Sequence, residues 1–143
     1  MAICIREIYP DELEWVNQQY DSIGFVATDL SSRQFIAISD RQKAGLGRLV
    51  YIDNEVWELG GIYVLPKFRG QSVARKIVQH LLLQANYEHL YCIPFTNLGN
   101  FYKGMGFVEC SNSSKIPEKI KQKYQWCQHT YSQGVLLLEI ALS

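Results

Sequence analysis

The chain has 143 residues, 48% of them hydrophobic and 13% aromatic, so it can bury a real core, and a disordered chain is excluded. Lysine plus arginine equals aspartate plus glutamate at 14 each, with a sequence pI of about 6.8, which gives no support to non-specific nucleic-acid binding. The four cysteines, Cys4, Cys92, Cys110 and Cys127, are widely spaced without a CxxC pair, and no two histidines fall at ligand spacing; this argues against a zinc site or a disulfide framework.

The opening MAICIREIYP lacks a basic flank followed by a long apolar run, and no segment approaches the ~18 apolar residues that span a bilayer. With reduced thiols, the expectation is a cytoplasmic chain without membrane contact. AICIREI alternates as a strand does, and PDELEWVNQQY follows as a helix. Pro10 and two acids form its first turn, with Leu13, Val16 and Tyr20 on one stripe. DSIGFVATDLSS reads as loop. RQFIAISD and AGLGRLVYID read as strands joined by a polar turn at Asp40 to Lys43, and Asp53-Asn54 marks another turn. VWELGGIYVLP is a strand ended by Pro66. The helix expected from about Gln71 to Ala85 carries Val73, Ile77, Val78, Leu81, Leu82 and Ala85 on a broad apolar face.

EHLYCI is a strand, Asn97 to Lys103 a short helix broken by Gly104 and Gly106, and FVEC a short strand. Pro117 to about His129 is amphipathic, and VLLLEIAL closes the chain as a nearly continuous apolar strand. No repeat or linker interrupts this order, so one domain over 1–143 is expected. The fold class is α+β, or mixed α/β. The sheet is antiparallel early and turns parallel where a helix crosses over between VWELGGIYVL and EHLYCI.

The stretch VLPKFRGQSVARKI joins that strand to that helix. The first N–H groups of a helix lack intrahelical partners and, with the helix dipole, favour an anion. Gly70 lets the chain turn and a ligand approach the backbone, and Arg69 and Arg75 add charge. An ordinary strand-to-helix turn with surface arginines is the alternative. Neither a P-loop nor a Rossmann pattern is present.

The whole arrangement resembles the GNAT superfamily of acyl-CoA-dependent N-acetyltransferases. The family carries R/Q-x-x-G-x-G/A after a strand ending in V-x-P; here Arg69-Gly70-Gln71-Ser72-Val73-Ala74 follows Val64-Leu65-Pro66. A short helix with a tyrosine and then G-F comes one strand later, as NLGNFYKGMGF. The resemblance covers essentially the full chain. It implies a central mixed, mostly antiparallel sheet flanked by helices, with a splayed parallel strand pair binding CoA. Ser72 departs from the motif's second glycine. It is expected in the first helical turn at negative φ, where a small side chain causes no strain and its hydroxyl can reach a phosphate.

The resemblance implies that Arg69 to Ala74, with Arg75, hold the pyrophosphate of acetyl-CoA, and that Ile62, Tyr63 and Val64 line its pantetheine arm through backbone groups of Ile62 and Val64. A backbone N–H there would stabilise an oxyanion. Tyr102 matches the tyrosine that protonates the leaving thiolate. Asn97 either touches the coenzyme or caps the short helix, with Asn100 competing for the first role. Glu58 is the leading general base, with Glu55 or a water chain as alternatives; strand alternation puts Glu58, Gly60, Ile62 and Val64 on one side. The histidines read as structural or solvated, and KIPEKIKQKYQ as one solvated basic face. Acceptor specificity is expected in the Tyr20 to Ser32 loop and the segment from Cys110 to Gln133. The activity implied is direct acetyl transfer to a primary amine of a small molecule or peptide. The alternative is a non-catalytic CoA-binding sensor or interaction module. No metal is implied. The partners expected are acetyl-CoA, an amine acceptor and at most a second copy of the chain in a homodimer.

Overall fold

In the computed structural model, residues 2–27, 31–53, 56–84, 89–111 and 115–141 are described. Alternating ICIRE and RQFIAIS form β1 (Ile3–Glu7) and β2 (Arg33–Ser39), paired antiparallel. A two-residue turn leads into β3 (Gln42–Asp53): Asp40 and Arg41 both take positive φ, 48° and 67°, which matches the twist of a tight hairpin. β4 (Val56–Val64) pairs parallel with β5 (His89–Cys92). β6 (Val108–Glu109) and β5 both pair antiparallel with β7 (Leu138–Ala141). The sheet is seven-stranded in the order β1-β2-β3-β4-β5-β7-β6, so the α+β expectation and the single parallel pair are borne out. The closing strand is shorter than its apolar run suggests. It begins at Leu138, and Val135 makes only an isolated bridge to Phe95.

The helices are α1 (Leu13–Ser22), α2 (Val73–Gln84), α3 (Gly99–Lys103) and α4 (Glu118–Thr130). A 3-10 turn at Pro10–Glu12 leads into α1, held by the bidentate pair of Arg6 with Glu12 and by the Tyr9 N–H donating to the Glu12 carboxylate. Hydrogen bonding from Arg6 holds the Glu12 carboxyl down at about 2, against the opposing effect of burial. No described helix is long and apolar enough to cross a membrane.

Contacts divide the chain into two compact units, Met1–Val50 with Gly61–Ala85, and Tyr51–Gly60 with Asn86–Ser143. In the first, Val16 and Tyr20 of α1 pack on Ile36 and Leu46, with Trp15, Phe25 and Tyr63 around them. The neighbours of Leu46 in β3 are glycines because the other side of the strand receives α2. A Cβ on Gly47 would lie 2.6 Å from Ile77 Cγ2 and 2.9 Å from Ile62 Cδ1; one on Gly45 would lie 2.9 Å from Ile77 Cδ1. The pattern A-G-L-G thus lets a helix sit directly on backbone. In the second unit, Leu59, Leu90, Phe107, Ile120 and Leu138 are fully buried.

Replacing Gly47 by alanine should overpack this seat and cost about 1–3 kcal/mol. Thermal denaturation should then show Tm lowered by roughly 3–10 °C; an unchanged Tm would contradict the close approach of α2.

Candidate active site

β4 passes into the first unit with a break in its regular geometry. Gly61 takes φ +60°, a value that side-chain-bearing residues rarely adopt. A Cβ there would meet the Tyr20 hydroxyl at 2.6 Å and Arg48 Nε at 2.8 Å. The buried Tyr20 hydroxyl donates to the Gly61 carbonyl at 2.7 Å, while the Arg48 guanidinium lies over the Tyr20 ring. Glu58 and Gly60 share a side, since a Cβ on Gly60 would lie 3.3 Å from Glu58 Oε2. The expected alternation therefore holds that far and is interrupted at Gly61.

Beyond Val64 the chain makes a 3-10 turn, Pro66–Phe68, anchored by Phe68, which is buried. Arg69 is exposed and turns back, its Nε donating to the Val64 carbonyl at 3.2 Å. That bond uses part of the acceptor capacity of Val64, one of the backbone groups assigned to the pantetheine arm. Gly70 takes φ +81°, and no atom lies within 4 Å of where its Cβ would stand, so open space faces the backbone there.

Ser72 corrects the sequence reading. It lies before α2, not in its first turn, and takes φ +63°. Its carbonyl accepts the Lys76 N–H at 3.2 Å, the first bond of the helix. The motif's glycine is thus explained by backbone hand: a left-handed residue must end the loop, and serine is strained there by about 1–2 kcal/mol. Gly70 and Ser72 are left-handed on either side of Gln71, and turns with left-handed residues are the ones in which successive N–H groups can bind an anion. The N–H groups of Val73, Ala74 and Arg75 follow, ahead of the first intrahelical bond. Gly70, Gln71, Ser72 and Arg75 are exposed. The loop therefore presents donors, open space and positive charge together.

In the second unit Tyr102 is 4% exposed. The spacing from Tyr102 to Gly106-Phe107 has a packing reason. Gly106 turns the chain at φ +107°, the Phe107 N–H returns to the Tyr102 carbonyl, and the two rings meet edge-on at 5.8 Å. Burial first, and then Cys92, pushes the phenol well above its ordinary range, so it keeps its proton at neutral pH. The Cys92 thiol is likewise pushed up, by burial first and then by the charge of Glu58.

Glu58 is 5% exposed rather than solvated. Its Oε1 accepts a short hydrogen bond from Lys123 Nζ on α4. This corrects the reading of KIPEKIKQKYQ as one solvated face: Lys123 follows buried Ile120 by three residues and precedes buried Cys127 by four, so it belongs to the inward stripe. That spacing was the available signal for Lys123. Cys92 had none, being one apolar-strand residue among several.

Asn97 does not cap a helix. It lies inside a 3-10 turn, Thr96–Leu98, whose N-cap is Phe95, while Leu98 caps α3; Asn97 and Asn100 are both exposed. Glu55 and Ala85 lie outside the described residues, as do 28–30 of the expected acceptor loop and 112–114 of the later segment. The histidines make local contacts: His129 Nδ1 with the Gln125 carbonyl, His89 Nε2 with Glu139 at 2.9 Å, His80 edge-on to Phe35. No metal-holding group of three His, Cys, Asp or Glu side chains occurs among the described residues.

A family model for an acetyltransferase (GNAT) domain matches residues 31–109, more than half of the chain. The chain belongs to the GNAT acetyltransferase family. No curated protein matches its sequence. Among solved structures, N-acetylglutamate synthase from Neisseria gonorrhoeae, complexed with coenzyme A and N-acetyl-glutamate, is similar with a TM-score of 0.73 at 15% identity. That match covers 100% of this chain and 36% of the synthase, so the chain spans about a third of that protein's length. A Mycobacterium tuberculosis protein in complex with CoA and NLQ gives 0.77 at 15% identity, covering 98% and 99% of the two chains. A GNAT family acetyltransferase from Elizabethkingia anophelis with acetyl-CoA bound gives 0.66 at 17%, covering 98% of each. At these identities the likeness is one of fold.

Replacing Ser72 by glycine removes the left-handed strain of about 1–2 kcal/mol but returns roughly 0.5–1 kcal/mol to the unfolded chain. The Ser72→Gly variant should therefore have an equal or higher Tm, by up to a few degrees, and coenzyme affinity within a few fold of the parent. A clear drop in Tm would contradict the left-handed geometry.

Proposed function

We propose that the chain is an acetyl-CoA-dependent N-acetyltransferase acting on a primary amine by direct transfer. The observation that carries this reading is the loop from Arg69 to Ser72: its two left-handed residues and the free N–H groups opening α2 suit a pyrophosphate. The relatives with CoA or acetyl-CoA bound support the same coenzyme here. Bound acetyl-CoA would supply an activated acetyl thioester. Arg69, Gly70, Gln71, Ser72, Val73, Ala74 and Arg75 would hold the phosphates, and the backbone of Ile62 to Val64 the pantetheine arm, with Asn97 a further contact.

Glu58 takes a proton from the acceptor ammonium, freeing the lone pair. The nitrogen bonds the acetyl carbon, the carbon–sulfur bond breaks with its electron pair on sulfur, and Tyr102 protonates that sulfur. The amide, a free thiol and one proton to solvent result. Tyr102 is suited to the role because burial keeps it protonated. A base matters because an amine of pKa ~10.4 needs about 4–5 kcal/mol to reach its neutral form at pH 7. A second reading, coenzyme binding without turnover, is favoured by one observation: Glu58 is engaged by Lys123.

Acetyl-CoA should raise Tm, by an amount corresponding to about 2.7 kcal/mol at a hundredfold excess over Kd. Gly70→Glu should abolish the shift by placing bulk and negative charge in the open space at Gly70. No shift in the parent protein at millimolar acetyl-CoA would sink the reading. Thiol release with an amine panel separates turnover from binding alone. Tyr102→Phe and Glu58→Gln should each slow turnover by roughly 100-fold or less while leaving the coenzyme shift intact. The Glu58→Gln defect should shrink toward pH 9.5, as the amine loses its proton unaided; a constant defect would make Glu58 a binding residue only.

A further inference from the structure

We propose that the acceptor is a zwitterion, an amine with a carboxylate beside it as in a free α-amino acid, received by the Glu58–Lys123 pair. The inference rests on the acetyltransferase reading and names its acceptor class. Glu58 is a buried carboxylate already neutralised by one cation on its Oε1. Its other oxygen, Oε2, lies 3.3 Å from where a Cβ on Gly60 would stand, and among the described residues, the chain neighbours of Gly60 aside, only the Glu58 carboxyl comes within 4 Å of that point. An ammonium arriving at Oε2 would put two cations on one buried carboxylate. Like charges that close repel strongly at the low effective dielectric of a protein interior, and a net buried charge is costly.

An acceptor with its own carboxylate removes that excess. Lys123 carries three N–H donors and gives one to Glu58; its side chain is 34% exposed, so the others are reachable. The acceptor's ammonium would then meet Glu58 Oε2 and its carboxylate would meet Lys123 Nζ, making two complementary pairs from four charges. Lys123 is fixed for this by its place on the inward stripe of α4 between Ile120 and Cys127. A neutral amine or a polyamine gains nothing from Lys123.

The test is thiol release from acetyl-CoA by the full chain with matched pairs of acceptors: each standard L-amino acid against its methyl ester, with spermidine as a carboxylate-free control. The ester keeps the amine, lowers its pKa and loses the negative charge, so simple basicity favours the ester. At least one free acid should exceed its ester in kcat/KM by about tenfold or more, the scale of one charge-assisted hydrogen bond. Lys123→Gln should raise KM for that acid by a similar factor with kcat little changed, and should not raise KM for the ester, from which it removes a competing cation. Lys123→Arg should restore the preference in part. Esters or spermidine equal to or better than every acid would overturn the proposal, as would a Lys123→Gln defect that is the same for acid and ester. Each variant is checked for the acetyl-CoA thermal shift. A retained shift without turnover of any acid overturns this inference alone, whereas no shift in the parent protein removes the acetyltransferase reading and this inference with it.

Discussion

The seat of α2 on β3 is the constraint on which the candidate coenzyme loop depends. Gly45 and Gly47 leave no room for a side chain between strand and helix, so Ile77 and Val73 rest almost on backbone. This fixes where the helix begins. The chain arriving from β4 has only the few residues after Val64 in which to reach that point, and it does so with a 3-10 turn and two left-handed residues. The same geometry that lets the chain meet the helix turns its N–H groups outward.

A second physical theme is the buried polar cluster of the other unit. Lys123 donates a hydrogen bond to Glu58, the charge of Glu58 acts on the Cys92 thiol, and Cys92 in turn acts on Tyr102. Burial keeps both the thiol and the phenol protonated, with the charge of Glu58 acting further on the thiol and Cys92 on the phenol. The carboxylate itself is held by the one cation that α4 turns inward.

Much of this was legible in the sequence. The strand alternation of RQFIAIS, the apolar face of VARKIVQHLLLQ and the start signals at Pro10 gave elements of the right kind in the right order. The Arg69 to Ala74 motif pointed to the anion loop because helix starts carry their physics locally. The hand of Ser72 was not legible, since it depends on where the helix is seated by Gly45 and Gly47, residues far away in sequence. Lys123 was hidden among lysines of the same segment; its spacing to Ile120 and Cys127 places it on the inward stripe, and its partner, contributed by β4, shows what it does there. Of the two roles open to Asn97 in the sequence, capping is removed because the short helix is entered through a 3-10 turn that moves the caps to Phe95 and Leu98.

The central claim is that the backbone donors between Gly70 and Arg75 receive a pyrophosphate. A backbone amide NMR spectrum of the protein titrated with acetyl-CoA reads those donors one by one. The account predicts saturable shifts that are largest at the amides of Gly70 to Arg75. Saturable binding that leaves those amides in place, with its shifts confined elsewhere, would contradict it.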